Sequence, residues 1–144
     1  MDRIDEQILR LLKGNGRMTS SEIGKHVHLS IPAVSERICK MEERGLIEQF
    51  SVKINREKMG FHLLAFIMVQ LEKPEHIQAF RTVIQEHEQI LECHHIAGEY
   101  DYLLKTVSRS PSDLERLISD TVKQVKGVVK TSTLIALSTV KEER

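Results

Sequence analysis

Residues 19–45 read TSSEIGKHVHLSIPAVSERICKMEERG, and the start and stop signals inside this stretch decide the first half of the fold. Thr19-Ser20-Ser21-Glu22 is a capping box: the hydroxyl takes one free N–H at a helix start, and the glutamate reaches back to another. It opens a short helix through about His26, with Ile23 and Val27 turned inward. His28-Leu29 is a tight connection to Ser30, the next N-cap, and Pro32 is tolerated in a first turn. In the helix that follows, Ile31, Val34, Ile38 and Met41 recur every three to four residues and are expected to face inward. Ala33, Glu36, Arg37, Lys40 and Arg44 lie opposite, and Gly45 is the stop. Upstream, Ile4, Ile8, Leu11 and Leu12 make one apolar stripe, with Asp2 as N-cap and Gly14-Asn15-Gly16 as terminator. Two short helices joined by a short turn, behind a supporting helix, form the helix-turn-helix pattern. Leu46–Val52 reads as a strand closing this unit in winged-helix fashion.

The last of these helices presents small and basic side chains from its N-terminal half. Entry into a major groove requires that: bulk would block approach, Arg and Ser can bond base edges, and Lys can bond phosphate. On periodicity alone, a plain three-helix mini-domain with a solvated charged face fits equally well.

Period and composition change near residue 60. Ser51–Gly60 is polar and ends in glycine, as a linker or hinge does. Beyond it, Leu63–Leu71 is almost continuously apolar, like a central strand, and Pro74 breaks it. Ile77, Phe80, Ile84 and His87 share a helical face; Ile90–Ala97 and Tyr102–Val107 are strand-like on either side of a turn at Gly98. Ser110-Pro111-Ser112-Asp113 starts a second helix with stripe Leu114, Leu117, Ile118, Val122 and Val125. Gly127 ends it, and Val128–Val140 is a last extended segment. The order β-α-β-β-α-β is the ferredoxin-like arrangement, with both helices on one face of a four-stranded antiparallel sheet. The other face carries apolar residues with nothing left in the chain to cover it, so a second subunit is the expected cover. The fold class is therefore α+β, with a helix-turn-helix domain over 1–50, a linker or hinge strand over 51–61, and a ferredoxin-like oligomerisation domain over 62–144.

Composition bounds the function. The chain has 144 residues, 40% hydrophobic and 29% charged, with 21 Lys plus Arg against 21 Asp plus Glu. Zero net charge excludes a histone-like polycation but not a local basic patch. No apolar run reaches the roughly 18 residues of a membrane helix, and the acidic N-terminus does not suit a signal peptide. Two cysteines, Cys39 and Cys93, make no disulfide framework, which points to a reducing cytoplasm.

These residues resemble a known family. Asp2-Arg3-Ile4-Asp5, Ile8-Leu9, Asn15-Gly16-Arg17, Leu29-Ser30, Glu36-Arg37-Ile38, Met41-Glu42 and Gly45-Leu46-Ile47 look like the N-terminal half of an Lrp/AsnC-type (feast/famine) regulator. Glu92-Cys93-His94 followed by Gly98-Glu99-Tyr100-Asp101-Tyr102-Leu103-Leu104-Lys105 is similar to the heart of that family's effector domain. The resemblance implies a nucleoid-associated transcription factor whose dimers assemble further, commonly to octamers. It implies an amino acid as effector, with no other cofactor, bound between dimers. Carried onto this chain, the DNA-facing residues are Ser30, Ala33, Ser35, Glu36, Arg37 and Lys40. The effector residues are Gly98, Glu99, Asp101 and Tyr102, with Ile135 and Ala136 from a neighbouring subunit. Glu99 and His95 depart from the residues common at their positions.

Other readings are weaker. Cys93-His94-His95 cannot chelate a metal together, because alternation on a strand turns His94 away from its neighbours. Asp101 has no evident nucleophile or titrating partner, so catalysis is not expected. An architectural protein that wraps or bridges DNA without a ligand remains the main alternative to an amino-acid-responsive regulator.

Overall fold

The computed structural model describes residues 1–143; Arg144, the last residue of the expected second domain, lies outside them. The chain divides into two compact units, one of residues 1–54 completed by Glu142 and Glu143, the other of residues 55–141. The division falls inside the stretch read as a linker.

In the first unit, α1 spans Arg3–Gly14, α2 Ser20–Val27 and α3 Ile31–Glu43. All three begin at the expected caps. Asp2 accepts the N–H groups of Ile4 and Asp5 at 2.9 Å each, and Asp5 returns the contact to Asp2. Thr19 and Glu22 form the reciprocal pair read from sequence, and Ser30 caps Ala33. Gly45 stops α3 with φ of +70°, a region that costs an L-residue energy and glycine little. Gly24 is needed for closeness: a Cβ there would stand 2.5 Å from the Leu29 carbonyl oxygen. The helix-turn-helix bend is thus packed backbone against backbone. Ile8, Ile23, Val27, Val34 and Met41 form the core.

Two expectations fail here. Ile31 is 54% exposed rather than inward, because it sits at the first position of α3, beyond the edge of that core. No strand forms over Leu46–Val52 or over the 51–61 hinge. A strand exists through ladder bonds to a neighbour, and the described residues offer this segment none. Phe50, Val52 and Ile54 keep the strand-like alternation but are exposed. Asn55–Phe61 instead closes into tight turns, with Phe61 N–H donating to the Arg56 carbonyl and Lys58 N–H to the Asn55 side chain.

The second unit has the expected order: β1 Leu63–Leu71, α4 Ile77–Gln85 after a short 3-10 turn, β2 Ile90–His95, β3 Tyr102–Ser108, α5 Pro111–Arg116 and β4 Val128–Ile135. Past Arg116 the helix widens into a π-helical turn over Leu117–Val122. The strands run in the order β2-β3-β1-β4, all antiparallel, with Ile67 opposite both Leu104 and Thr133. Ala65, Ile67, Val69, Tyr102 and Leu104 face Phe80, Ile84, Leu114, Leu117 and Val122 of the helical layer. Each such fully buried large side chain contributes roughly 1.5–3 kcal/mol. The opposite face of the sheet carries Leu64, Phe66 and Met68, only half-buried, beside Leu134 of β4. The last strand ends at Ile135 instead of Val140; Leu137 and Val140 are fully exposed.

Candidate nucleic-acid interface and effector site

The exposed surface of α3 begins with Ile31 and Pro32 and continues through Ser35, Glu36, Cys39 and Lys40. Ala33 and Arg37 are half-buried. Relative to the sequence reading, the solvent face is rotated away from Arg37. The cause is electrostatic: the Arg37 guanidinium bonds Asp2 at 2.8 Å and Asp5 at 2.7 Å, the two carboxylates of the α1 capping box. Arg37 therefore ties α3 to the start of α1, and its expected role at a base edge is not the one its contacts serve. The Asp5 N–H, then Arg37, hold the Asp2 carboxyl below its ordinary range, and the two carboxylates push Arg37 further up.

The other polar candidates are also occupied. Ser35 donates to Ser20 at 3.0 Å, which sets the start of α2 beside the N-terminal half of α3. Lys40 and Glu36 pair at 2.7 Å along the helix, lowering the pKa of Glu36. Ser30 is used as a cap. Sequence reasoning passed over Arg17, exposed three residues before Ser20, and Lys25 in the last turn of α2. Both are basic and exposed, and their signal was present in the residues on either side of the capping box. Cys39 donates to Glu43, which raises its pKa and opposes thiolate chemistry.

In the second unit, the turn joining β2 to β3 gathers Gly98, Glu99 and Asp101. Nothing lies within 4 Å of where a Cβ on Gly98 would stand, so its backbone is open to approach. Asp101 is anchored: its carboxylate accepts the Leu71 N–H at 2.7 Å, and its own N–H donates to Val69. The contact falls where β1 slips its register against β4. Glu99 pairs with Lys130 of β4 at 3.1 Å, and the Lys130 ammonium lies over the Tyr100 ring. That pair raises the pKa of Lys130, a residue absent from the sequence reading although it is the one lysine of β4.

Tyr102 is not at the open turn. It is 2% exposed, packed on Phe80, stacked with His95, and accepts a hydrogen bond from Arg81 Nε. With Arg81, Ile84, Cys93 and His95 it lines an open cleft of about 440 Å³ between α4 and the edge strand β2. Burial there raises the Cys93 pKa. His94 points to the other face and pairs with Glu92. No cluster of three or more metal-ligating side chains occurs among the described residues. Ile135 and Ala136 lie at the far end of the sheet: Ile135 is opposite Ala65, whereas Tyr102 is opposite Val69. One chain does not bring these residues to the turn.

This pairing of a helix-turn-helix with a ferredoxin-like unit has relatives along its whole length. Residues 64–144 match the Lrp/AsnC ligand binding domain, and residues 1–48 match a winged helix-turn-helix DNA-binding model. The chain belongs to the Lrp/AsnC family. The leucine-responsive regulatory protein of Escherichia coli K12 is 34% identical over 144 residues, covering 99% of this chain and 88% of that protein. A transcriptional regulator of Neisseria meningitidis, solved as its L-Met complex, superposes with a TM-score of 0.96 at 26% identity, covering 99% of this chain and 94% of that one. E. coli AsnC, at 22% identity and a TM-score of 0.93, covers 100% and 97% and shares the fold. As an Lrp/AsnC member the chain is a DNA-binding transcriptional regulator with a ligand-binding domain, not an enzyme. Among the described residues, no helix is long and apolar enough to cross a membrane.

Proposed function

We propose that this regulator binds double-stranded DNA as a dimer through two copies of α3, and that an amino acid held between subunits at the 98–102 turn changes that binding or the assembly. The observation that carries the effector reading is the open backbone at Gly98 next to the anchored Asp101. A zwitterion needs main-chain N–H donors for its carboxylate and an acceptor for its ammonium, and these two residues supply both kinds of group. The L-Met bound by the Neisseria relative supports the same ligand class. Ile135 and Ala136 of a neighbouring subunit complete the pocket. The half-buried Leu64, Phe66 and Met68 face of the second unit supplies apolar surface that a partner copy covers, and the exposed Phe50, Val52 and Ile54 of the first unit are a separate apolar surface for the same purpose. Dimers assemble further, to octamers, in the cytoplasm at the nucleoid.

One observation favours the architectural reading instead: Asp101 already serves Leu71, and Glu99 already serves Lys130, which leaves the turn little free charge. A thermal-shift screen of the twenty amino acids, followed by DNA binding with and without each one that stabilises the protein, separates the two. A regulator of the proposed kind answers to at least one amino acid in both assays. Silence across all twenty leaves a DNA-organising protein without an effector.

A further inference from the structure

Along the exposed face of α3, Ser35, Glu36, Cys39 and Lys40 have partners within the protein, whereas the large side chain of Ile31 does not join the core cluster of its unit. Ile31 stands at the first position of the helix, 54% exposed, while Val34 and Met41 of the same apolar repeat are at most 2% exposed. It is not the usual apolar clasp at a helix start, which joins the residue before the N-cap to the fourth helical position. Those positions are Leu29 and Val34, and both belong to the core cluster. Nor is Ile31 needed for capping, since Ser30 caps the helix through Ala33. Its aliphatic side chain is held out on a rigid, capped turn, with the ring of Pro32 beside it and Ser35 one turn further on.

In a helix-turn-helix, the N-terminal residues of the second helix meet the base edges. The major groove offers a single apolar group at those edges, the C5-methyl of thymine. We infer that Ile31 is a specificity-determining residue that reads thymine by packing on that methyl. This rests on α3 being the DNA-reading helix and goes beyond it by naming the base and the contact. It also reassigns the discrimination expected of Arg37, whose guanidinium is held by Asp2 and Asp5. Ser35 and Lys40 then position the helix on sugar and phosphate, and the apolar contact sets the preference.

The test uses the full-length protein and a site obtained by selecting tight binders from random duplex DNA. Each thymine of that site is replaced in turn by deoxyuridine, which keeps the pairing and every hydrogen-bonding group and removes only the methyl. Wild type is expected to lose roughly fourfold in affinity for each methyl contacted, at one symmetric pair of positions and at no others. Ile31→Ala is expected to bind the uracil-containing site as wild type does, and to have lost the preference for thymine over uracil. Ile31→Val should retain part of it, and circular dichroism of both variants should match wild type, because the side chain is outside the core. Tight binding by wild type with no thymine-to-uracil effect at any position would overturn the inference. So would an Ile31→Ala variant that still discriminates as wild type does. If selection yields no bound DNA at all, it is the assignment of α3 to DNA that fails, and the thymine contact fails with it.

Discussion

Arg37 and Asp5 meet at 2.7 Å across two helices, joining the middle of α3 to the first turn of α1. Asp5 is buried and also closes the capping box of its own helix with Asp2, so one guanidinium serves both a helix cap and an interhelical bond. Removing it should therefore act on folding before it acts on DNA. Arg37→Ala is expected to lower the melting temperature and to weaken specific and random DNA alike, in proportion to the folded fraction. Arg37→Lys should rescue poorly, because an ammonium does not reproduce the geometry of the guanidinium fork. A variant with unchanged melting and lost sequence preference would return Arg37 to the base edge.

Lys40 is held by Glu36 in the free protein, so a phosphate must compete with that carboxylate. Lys40→Ala should weaken binding to all sequences and reduce the slope of log affinity against log salt by about one. Glu36→Gln should do the opposite, strengthening binding to random DNA at low salt. Filter-binding titrations across a salt series measure both.

Asp101 makes a structural bond as well as serving as the proposed effector ligand, and two substitutions separate these roles. Asp101→Ala leaves the Leu71 N–H unpaired at the slip between β1 and β4 and should cost stability, toward the lower end of the roughly 1–3 kcal/mol range because the site is half-buried. Asp101→Asn keeps an acceptor oxygen and removes the charge. It should retain folding and DNA affinity while losing the response to whichever amino acid stabilises wild type. An unchanged response in Asp101→Asn at the same ligand concentration would leave Asp101 with its structural role alone.

His28 adopts φ of +57° at the end of α2, a left-handed conformation that costs a side-chain-bearing residue energy. His28→Gly should relieve it and raise stability by about 0.5–1 kcal/mol, part of the gain being offset by the greater freedom of glycine in the unfolded chain. Chemical denaturation of the two proteins compares them directly.

Acid should loosen the first unit through its caps. Main-chain N–H groups hold both Asp2 and Glu22 below their ordinary values of 3.8 and 4.5. A carboxylate with a depressed folded-state pKa stabilises the fold above its unfolded value, and that contribution is lost as pH falls through the folded value. Stability should thus be level above about pH 5 and decline below it. The decline should be shallower in an Asp2→Asn, Glu22→Gln double variant.

The caps, the periodicities and the order of elements were legible in the chain because each is local. Thr19 finds Glu22 three residues away, Asp2 finds Asp5, and Gly45 meets the conformational demand of its own helix end. The family resemblance lay in the same short-range signatures, Leu29-Ser30 with Glu36-Arg37-Ile38 and Gly98 through Lys105. What could not be read there depends on partners distant in sequence. Arg37 looked like an outward-facing arginine until α1 brought Asp2 and Asp5 against it, 35 and 32 residues away. Tyr102 sat in the effector motif, yet the packing of α4 buried it and gave its hydroxyl to Arg81. Asp101 acquired its bond because strand pairing brought Leu71 to it across 30 residues. Leu46–Val52 carried the composition of a strand and formed none, since a strand is made by its neighbour and none is available among the described residues. Local chemistry wrote the elements; the long-range bonds and the depth of the core assigned each side chain its work.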